Sequence, residues 1–262
     1  MSNKKINKKV KFEDVGVSEI KILPVVEPDN FVSPKVKIHP MIPNPYEGQL
    51  LLIIGSIRAG KSTLIANYLH SSQLWGDVWN DEVTIISNTI HNCAVSRFNL
   101  ERWGDNCYSE YDDSIIVNLR KSQEEKKKTG HDNGFCLLLD DICGSISNCQ
   151  ASKKGREIVS FSTRFRHYTA RGNPVVIMLA NQKFNDISTI MRCNATGVFI
   201  SGAVKNKKEL GAITEEYADS CGGTQKFEEM IRRNQEQPYS WLYLRLSSSP
   251  CEVYLNFKER LL

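Results

Sequence analysis

The stretch Leu50-Leu51-Leu52-Ile53-Ile54-Gly55-Ser56-Ile57-Arg58-Ala59-Gly60-Lys61-Ser62-Thr63 passes without a break from an apolar run to a glycine-bracketed loop and then to residues with helical spacing. Five apolar residues in succession suit a strand buried on both faces, as in a parallel sheet. Gly55 to Ser62 fits GxxxxGK[ST], and the strand before it and helix after it are the context that gives the match its meaning. Glycines let consecutive backbone amides curl around an anion, while the following helix presents its positive N-terminus to the same charge.

The loop therefore reads as a nucleotide phosphate cradle formed by Gly55, Ser56, Ile57, Arg58, Ala59, Gly60, Lys61, Ser62 and Thr63. Lys61 is expected to reach the β- and γ-phosphates of ATP, and the Ser62 hydroxyl to contact Mg²⁺. Downstream, further short apolar runs read as strands: 83–87, 114–119, 135–139 and 175–180, with 198–201 as a sixth. Helical signals cover 61–70, 151–168, 209–220 and 225–233. The polar stretch 120–134, with Lys126, Lys127 and Lys128, reads as a solvated loop. Two last runs, 241–246 and 252–257, flank Ser-Ser-Ser-Pro and suit an antiparallel edge hairpin. The expected class is α/β, a three-layer P-loop NTPase whose mainly parallel sheet is flanked by helices.

Two further strand ends carry chemistry. Phe135-Cys136-Leu137-Leu138-Leu139-Asp140-Asp141 is a buried strand finishing in two carboxylates, the form of the acidic (Walker B) strand that completes a phosphate-loop site. Asp140 is expected to hold Mg²⁺ through a water, and Asp141 to position or deprotonate the attacking water. As an alternative, these acids cap the turn after the strand. The run 174–180 ends in Asn181-Gln182, which either puts Gln182 where it senses the γ-phosphate or orients water, or is simply the polar end at which the strand stops. Arg164, Arg166, His167 and Arg171 cluster at a helix end, where they either complement the helix dipole or supply an arginine finger across a subunit boundary.

Composition bounds the rest. The 262 residues are 40% apolar and 24% charged with a net charge of +4, ordinary for a globular chain, and fit one domain with an extension. No apolar run approaches the roughly 20 residues a membrane-spanning helix needs, and the lysine-rich start is followed by no apolar signal core, so secretion is not expected. The eight cysteines form no CxxC pair, which points to reduced thiols and away from a zinc site. Residues 1–46 mix lysines with Pro24, Pro28, Pro34, Pro40, Pro43 and Pro45 and read as an extended arm, with the ATPase domain expected over 47–262.

The series 39–46 (HisProMetIleProAsnProTyr), 55–62, 138–141 (LeuLeuAspAsp), 164–168 (ArgPheArgHisTyr) and 179–182 (LeuAlaAsnGln) resembles, in order and spacing, the poxvirus-type DNA-packaging ATPases of large DNA viruses and virophages, members of the FtsK/HerA superfamily. That resemblance implies catalytic roles for Lys61, Asp140, Asp141, Gln182 and Arg166, with His167 beside the arginine. It implies a homo-oligomeric ring, expected as a hexamer, with ATP at subunit boundaries, double-stranded DNA in its pore without sequence preference, and residence in the virion or host cytoplasm. A capsid protein is a candidate docking partner. Cellular relatives usually carry glutamate at the position of Asp141, one methylene longer. Candidate DNA-contacting cations are the N-terminal lysines, Lys126 to Lys128, and Lys205, Lys207 and Lys208, each cluster reading first as ordinary solvated surface. Two other readings remain open on the residues: a nucleotide-binding assembly module with little turnover, and another P-loop NTPase such as a helicase.

Overall fold

Strands rich in Leu, Ile and Val without a polar face require neighbours on both sides and helices above and below. The computed structural model of the chain describes residues 36–142 and 155–262. Its strands are β1 (Gln49–Ile54), β2 (Val83–Ser87), β3 (Cys107–Tyr108), β4 (Phe135–Asp140), β5 (Val175–Asn181), β6 (Gly197–Ser201), β7 (Trp241–Arg245), β8 (Glu252–Leu255) and β9 (Glu259–Arg260). Its helices are α1 (Lys61–His70), α2 (Ser96–Trp103), α3 (Asp113–Thr129), α4 (Arg156–Arg164), α5 (Thr189–Cys193), α6 (Lys207–Tyr217) and α7 (Thr224–Gln235).

The strands form one sheet in the order β3-β2-β4-β5-β1-β6-β7-β8-β9. From β3 to β6 all pairings are parallel, and from β6 to β9 they are antiparallel. Every residue of β1, β4, β5 and β6 is buried. Alternation divides their side chains between two apolar layers. Leu50, Leu52, Leu139 and Ile177 pack with Ile116, Phe161, Ile213 and Phe227 from α3, α4, α6 and α7. Leu51, Ile53, Leu138 and Met178 pack with Ile65, Tyr68, Trp75 and Trp103 on the other face, which α1 and α2 cover. This is the expected three-layer α/β sandwich with a mainly parallel sheet.

One stretch differs from expectation. Residues 114–119, expected as a strand, and most of 120–134, expected as a loop, are the single helix α3. The Asp112 side chain accepts from the Ser114 amide as its N-cap, Asp113 lies in the first turn, Lys126 to Lys128 in the last, and Gly130 closes it at φ 75°. Each feature favours a helix. Its buried stripe, Ile116 and Gln123 with Ile115 and Leu119 partly covered, is too sparse to outweigh the β-like Ile-Ile-Val triplet when read as sequence. The edge hairpin is present, with Leu242 opposite Leu255. The helix expected over 151–168 is α4 followed by a 3₁₀ turn, Phe165–Tyr168; its first four residues lie outside the described residues, as does the lysine-rich part of the arm. The last residues of that arm lie on the domain. Ile42 is buried, Pro43 O accepts from Trp75 Nε1 at 3.0 Å, and the Arg245 guanidinium donates to the carbonyls of Pro40 and Ile42.

The start of the β4–β5 ladder is tight. Gly134 has φ +85°, and a Cβ there would fall 1.9 Å from Pro174 O, the carbonyl that accepts from Phe135 N at 3.0 Å. Gly130 has φ +75° with open space around it. Gly130→Ala is therefore expected to cost about 1–2 kcal/mol for its backbone alone, and Gly134→Ala a further 1–3 kcal/mol or so for overlap. Urea unfolding of the two variants tests this, and equal losses would refute the steric account.

Candidate nucleotide site

Parallel strands deliver their C-terminal ends to one edge of the sheet. Here the adjacent strands β4, β5 and β1 bring Asp140 opposite Ala180 and Ile54 opposite Asn181. The ladder continues beyond them: Gly55 N donates to Asn181 O at 3.1 Å and Asp141 N to Ala180 O at 3.0 Å. The loop from Gly55 to Thr63, the acid pair and Gln182 consequently meet at one edge.

The loop turns through Arg58 at φ 62° and Gly60 at φ 90°, and the N-terminus of α1 has no side-chain cap. Uncapped amides at a helix start are donors available to an anion. Lys61 is buried, 7% exposed. Its Nζ donates to Gly55 O at 2.9 Å and Ser56 O at 3.4 Å and stands 3.9 Å from Asp141 Oδ1. The Ser56 hydroxyl donates to Ala203 O at 3.1 Å, tying the loop to the segment after β6.

Asp140 is buried and its Oδ2 accepts from Ser87 Oγ at 3.1 Å. Burial first, and then the Asp141 charge, push its pKa up to about 6 against the opposing pull of Ser87 and Lys61. Ser62, Ser87 and Asp140 line one small cavity. Asp141 sits at φ +52°; its Oδ2 accepts from Gln182 Nε2 at 3.2 Å, and its carbonyl from Asn88 Nδ2 at 3.1 Å. Its Oδ1 is buried without a hydrogen-bond partner.

The donor set of Ser62 and Asp140 is all oxygen, which suits a hard divalent cation that takes its remaining ligands from water and phosphate. The orphaned Asp141 oxygen has acceptor capacity left for a water, and among the described residues no three His, Cys, Asp or Glu side chains form a protein-only metal cage. Ser87 and Asn88 were not anticipated; the signal was there in Val83 to Ser87, an apolar run ending in polar residues at the same edge.

Arg166 is not part of this cluster. Its side chain crosses Gly48, with Cγ, Cδ and Nε within 3.0 Å of where a side chain on Gly48 would begin, and its guanidinium lies 5.5 Å from the Phe165 ring. Gly48 precedes β1 and Gly55 follows it, so at about 3.3 Å per residue the arginine lies some 20 Å from its own phosphate loop. Lys126 to Lys128 lie at that far end too, with Lys127 Nζ donating to His167 O at 2.9 Å, whereas Lys205, Lys207 and Lys208 are exposed near the phosphate loop's edge.

The elevated Asp140 pKa has a stability consequence. The unfolded chain ionises this group near 3.8 and the folded chain near 6, so its contribution is most favourable below pH 3.8 and is lost as pH rises through about 6. Above that, the buried charge costs on the order of 2–3 kcal/mol. In nucleotide-free and metal-free buffer, Asp140→Asn is expected to be more stable than wild type at pH 8, with the gap closing toward pH 4. A wild type more stable at pH 8 would refute it.

No protein-family model matches this sequence, and no curated protein sequence does. Solved structures do share the architecture. The genome packaging NTPase B204 from Sulfolobus turreted icosahedral virus 2, in complex with ATP-gammaS, superposes with a TM-score of 0.54 at 16% identity, covering 80% of this chain and 98% of its own. Its complex with AMP gives 0.57 at 17% over the same shares. B204, the DNA-packaging ATPase from Sulfolobus Turreted Icosahedral Virus, gives 0.53 at 18%, covering 79% and 96%. Likeness at this identity speaks to architecture alone: the chain shares the α/β fold of these nucleotide-binding structures.

Proposed function

We propose that this chain is an ATP-hydrolysing motor that drives double-stranded DNA into a viral capsid. The observation that carries the reading is the meeting, at one sheet edge, of a buried Lys61, the Asp140–Asp141 pair and Gln182, in a chain folded like a genome packaging NTPase.

Each residue has a role that follows from its chemistry. In the bound state Lys61 exchanges the Gly55 and Ser56 carbonyls for the β- and γ-phosphate oxygens, and amides of the loop and of the α1 N-terminus hold the same anion. Ser62 and Asp140 would hold Mg²⁺, whose charge offsets that of the phosphates when bound. Asp141 orients the attacking water and accepts its proton, while Gln182 fixes the carboxylate through Oδ2 and can reach the γ-phosphate. Arg166 lies too far to serve its own site, so its role is that of a finger donated to a neighbouring copy in a ring, expected to be a hexamer. Exposed lysines hold the DNA backbone without reading sequence. The expected setting is the virion or host cytoplasm, with a capsid protein as docking partner; among the described residues no helix is long and apolar enough to cross a membrane.

ATP turnover with and without double-stranded DNA tests the reading. DNA is expected to stimulate wild type; Lys61→Ala, Asp141→Asn and Arg166→Ala are each expected to lose turnover, the arginine variant by about 10³-fold or more. Mixing Lys61→Ala with Arg166→Ala should restore part of the rate, because hybrid rings contain intact boundaries. Nucleotide binding without turnover in the presence of DNA would refute the motor and favour an assembly module.

A further inference from the structure

Tyr239 lies in the connection between α7 and β7 and is 75% exposed, the most exposed large hydrophobic side chain among the described residues. Its backbone is left-handed at φ 55°, a conformation that non-glycine residues adopt at a cost and that surrounding structure must impose. The surroundings do impose it. Gly202 N donates to Ser240 O at 2.9 Å. Ser240 Oγ and Trp241 N donate to Asn256 Oδ1 at 3.1 and 2.9 Å, and Asn256 Nδ2 donates to Gln237 Oε1 at 3.0 Å. An uncovered aromatic ring is thus held in a strained, cross-braced loop.

The ring stands beside the phosphate loop. Its Cδ1 is 3.7 Å from where a side chain on Gly60 would begin, and Gly60 immediately precedes Lys61 and α1. Direction matters as well. The acid pair lies on the β4 side of β1, so the γ-phosphate end of a bound nucleotide points that way and the nucleoside leaves toward β6 and β7. Tyr239 is on that side, since β7 begins with Trp241 opposite Ser201 at the end of β6.

We propose that Tyr239 is the stacking platform for the purine base of the nucleotide, an assignment that rests on the phosphate-loop reading above. A flat ring with one open face offers what a base requires, and the brace through Asn256 fixes it in advance of binding. Stacking depends on the π-face, so aromatic replacements should serve.

The test compares binding of ATP and of inorganic tripolyphosphate to the full chain by calorimetry. Tyr239→Ala is expected to weaken ATP about tenfold to a hundredfold while leaving tripolyphosphate affinity unchanged. Tyr239→Phe should retain ATP affinity. Tyr239→Trp should retain it too and add an indole emission that ATP alters and tripolyphosphate does not. Wild-type ATP affinity in Tyr239→Ala would overturn the assignment while leaving the phosphate loop intact, as would unchanged affinity with loss of ring assembly or DNA stimulation, which would give the ring to a macromolecular contact. Failure of the wild type to bind either ligand, or of Lys61→Ala to weaken both, would overturn the phosphate-loop reading itself.

Discussion

The peptide ladder joining β4, β5 and β1 does not end with the strands but runs on into the site, through Gly55 N to Asn181 O and Asp141 N to Ala180 O. Three chain segments from distant parts of the sequence are thereby held in one register by backbone groups alone. Each such bond contributes only about 1 kcal/mol net. Register, however, is enforced by burial: a one-residue slip would exchange the two faces of strands whose every residue is buried, and would set both apolar layers against the wrong helices. Gly134 guards the opposite end of the same ladder, where no side chain fits beside the Pro174 carbonyl. The spacing of Lys61, Asp141 and Gln182 is therefore a property of the sheet and not of the side chains that display it.

What the sheet gains, the site partly gives back. Lys61 is buried with two carbonyls and a carboxylate oxygen at 3.9 Å, no tight ion pair. Asp140 is kept where its ionised form is disfavoured. Asp141 combines a left-handed backbone with an oxygen that lacks a hydrogen-bond donor. Groups buried at a loss and incompletely paired cluster where ligands act, because the same low-dielectric surroundings that penalise them alone strengthen their attraction for a polyanion and its cation.

Legibility in the sequence followed the strength of local constraint. The phosphate loop needs particular residues at fixed spacing, and α1 spans the 61–70 expected of it; β2 likewise spans 83–87. Fully buried strands announce themselves as uninterrupted apolar runs, so β4, β5 and β6 differ from expectation by a residue at an end. By contrast α3 reads as a strand followed by a loop, since Ile115, Ile116 and Val117 are β-branched while the helix signals lie at its ends, in Asp112 and Gly130. Short elements such as β3, α5 and β9 are too brief to carry a period. Juxtapositions of segments, Ser87 bonded to Asp140 or Tyr239 beside Gly60, have no sequence signal because they depend on which strands become neighbours.

The same topology divides the two charged ends of the chain's chemistry. The candidate phosphate-binding groups collect where parallel strands end, and Arg166 lies where β1 starts, pinned across Gly48. A rigid sheet that is buried on both faces cannot fold back to bring one edge to the other. For Arg166 to meet a phosphate, the phosphate must belong to another copy whose C-terminal edge faces this copy's N-terminal edge. Such a contact joins unlike surfaces, and a head-to-tail interface of that kind closes only as a ring or runs on as a filament. An arginine finger at this position and a head-to-tail assembly are therefore a single hypothesis: the residue has no phosphate within reach until a neighbouring copy presents one, and a ring is the closed form of that same contact.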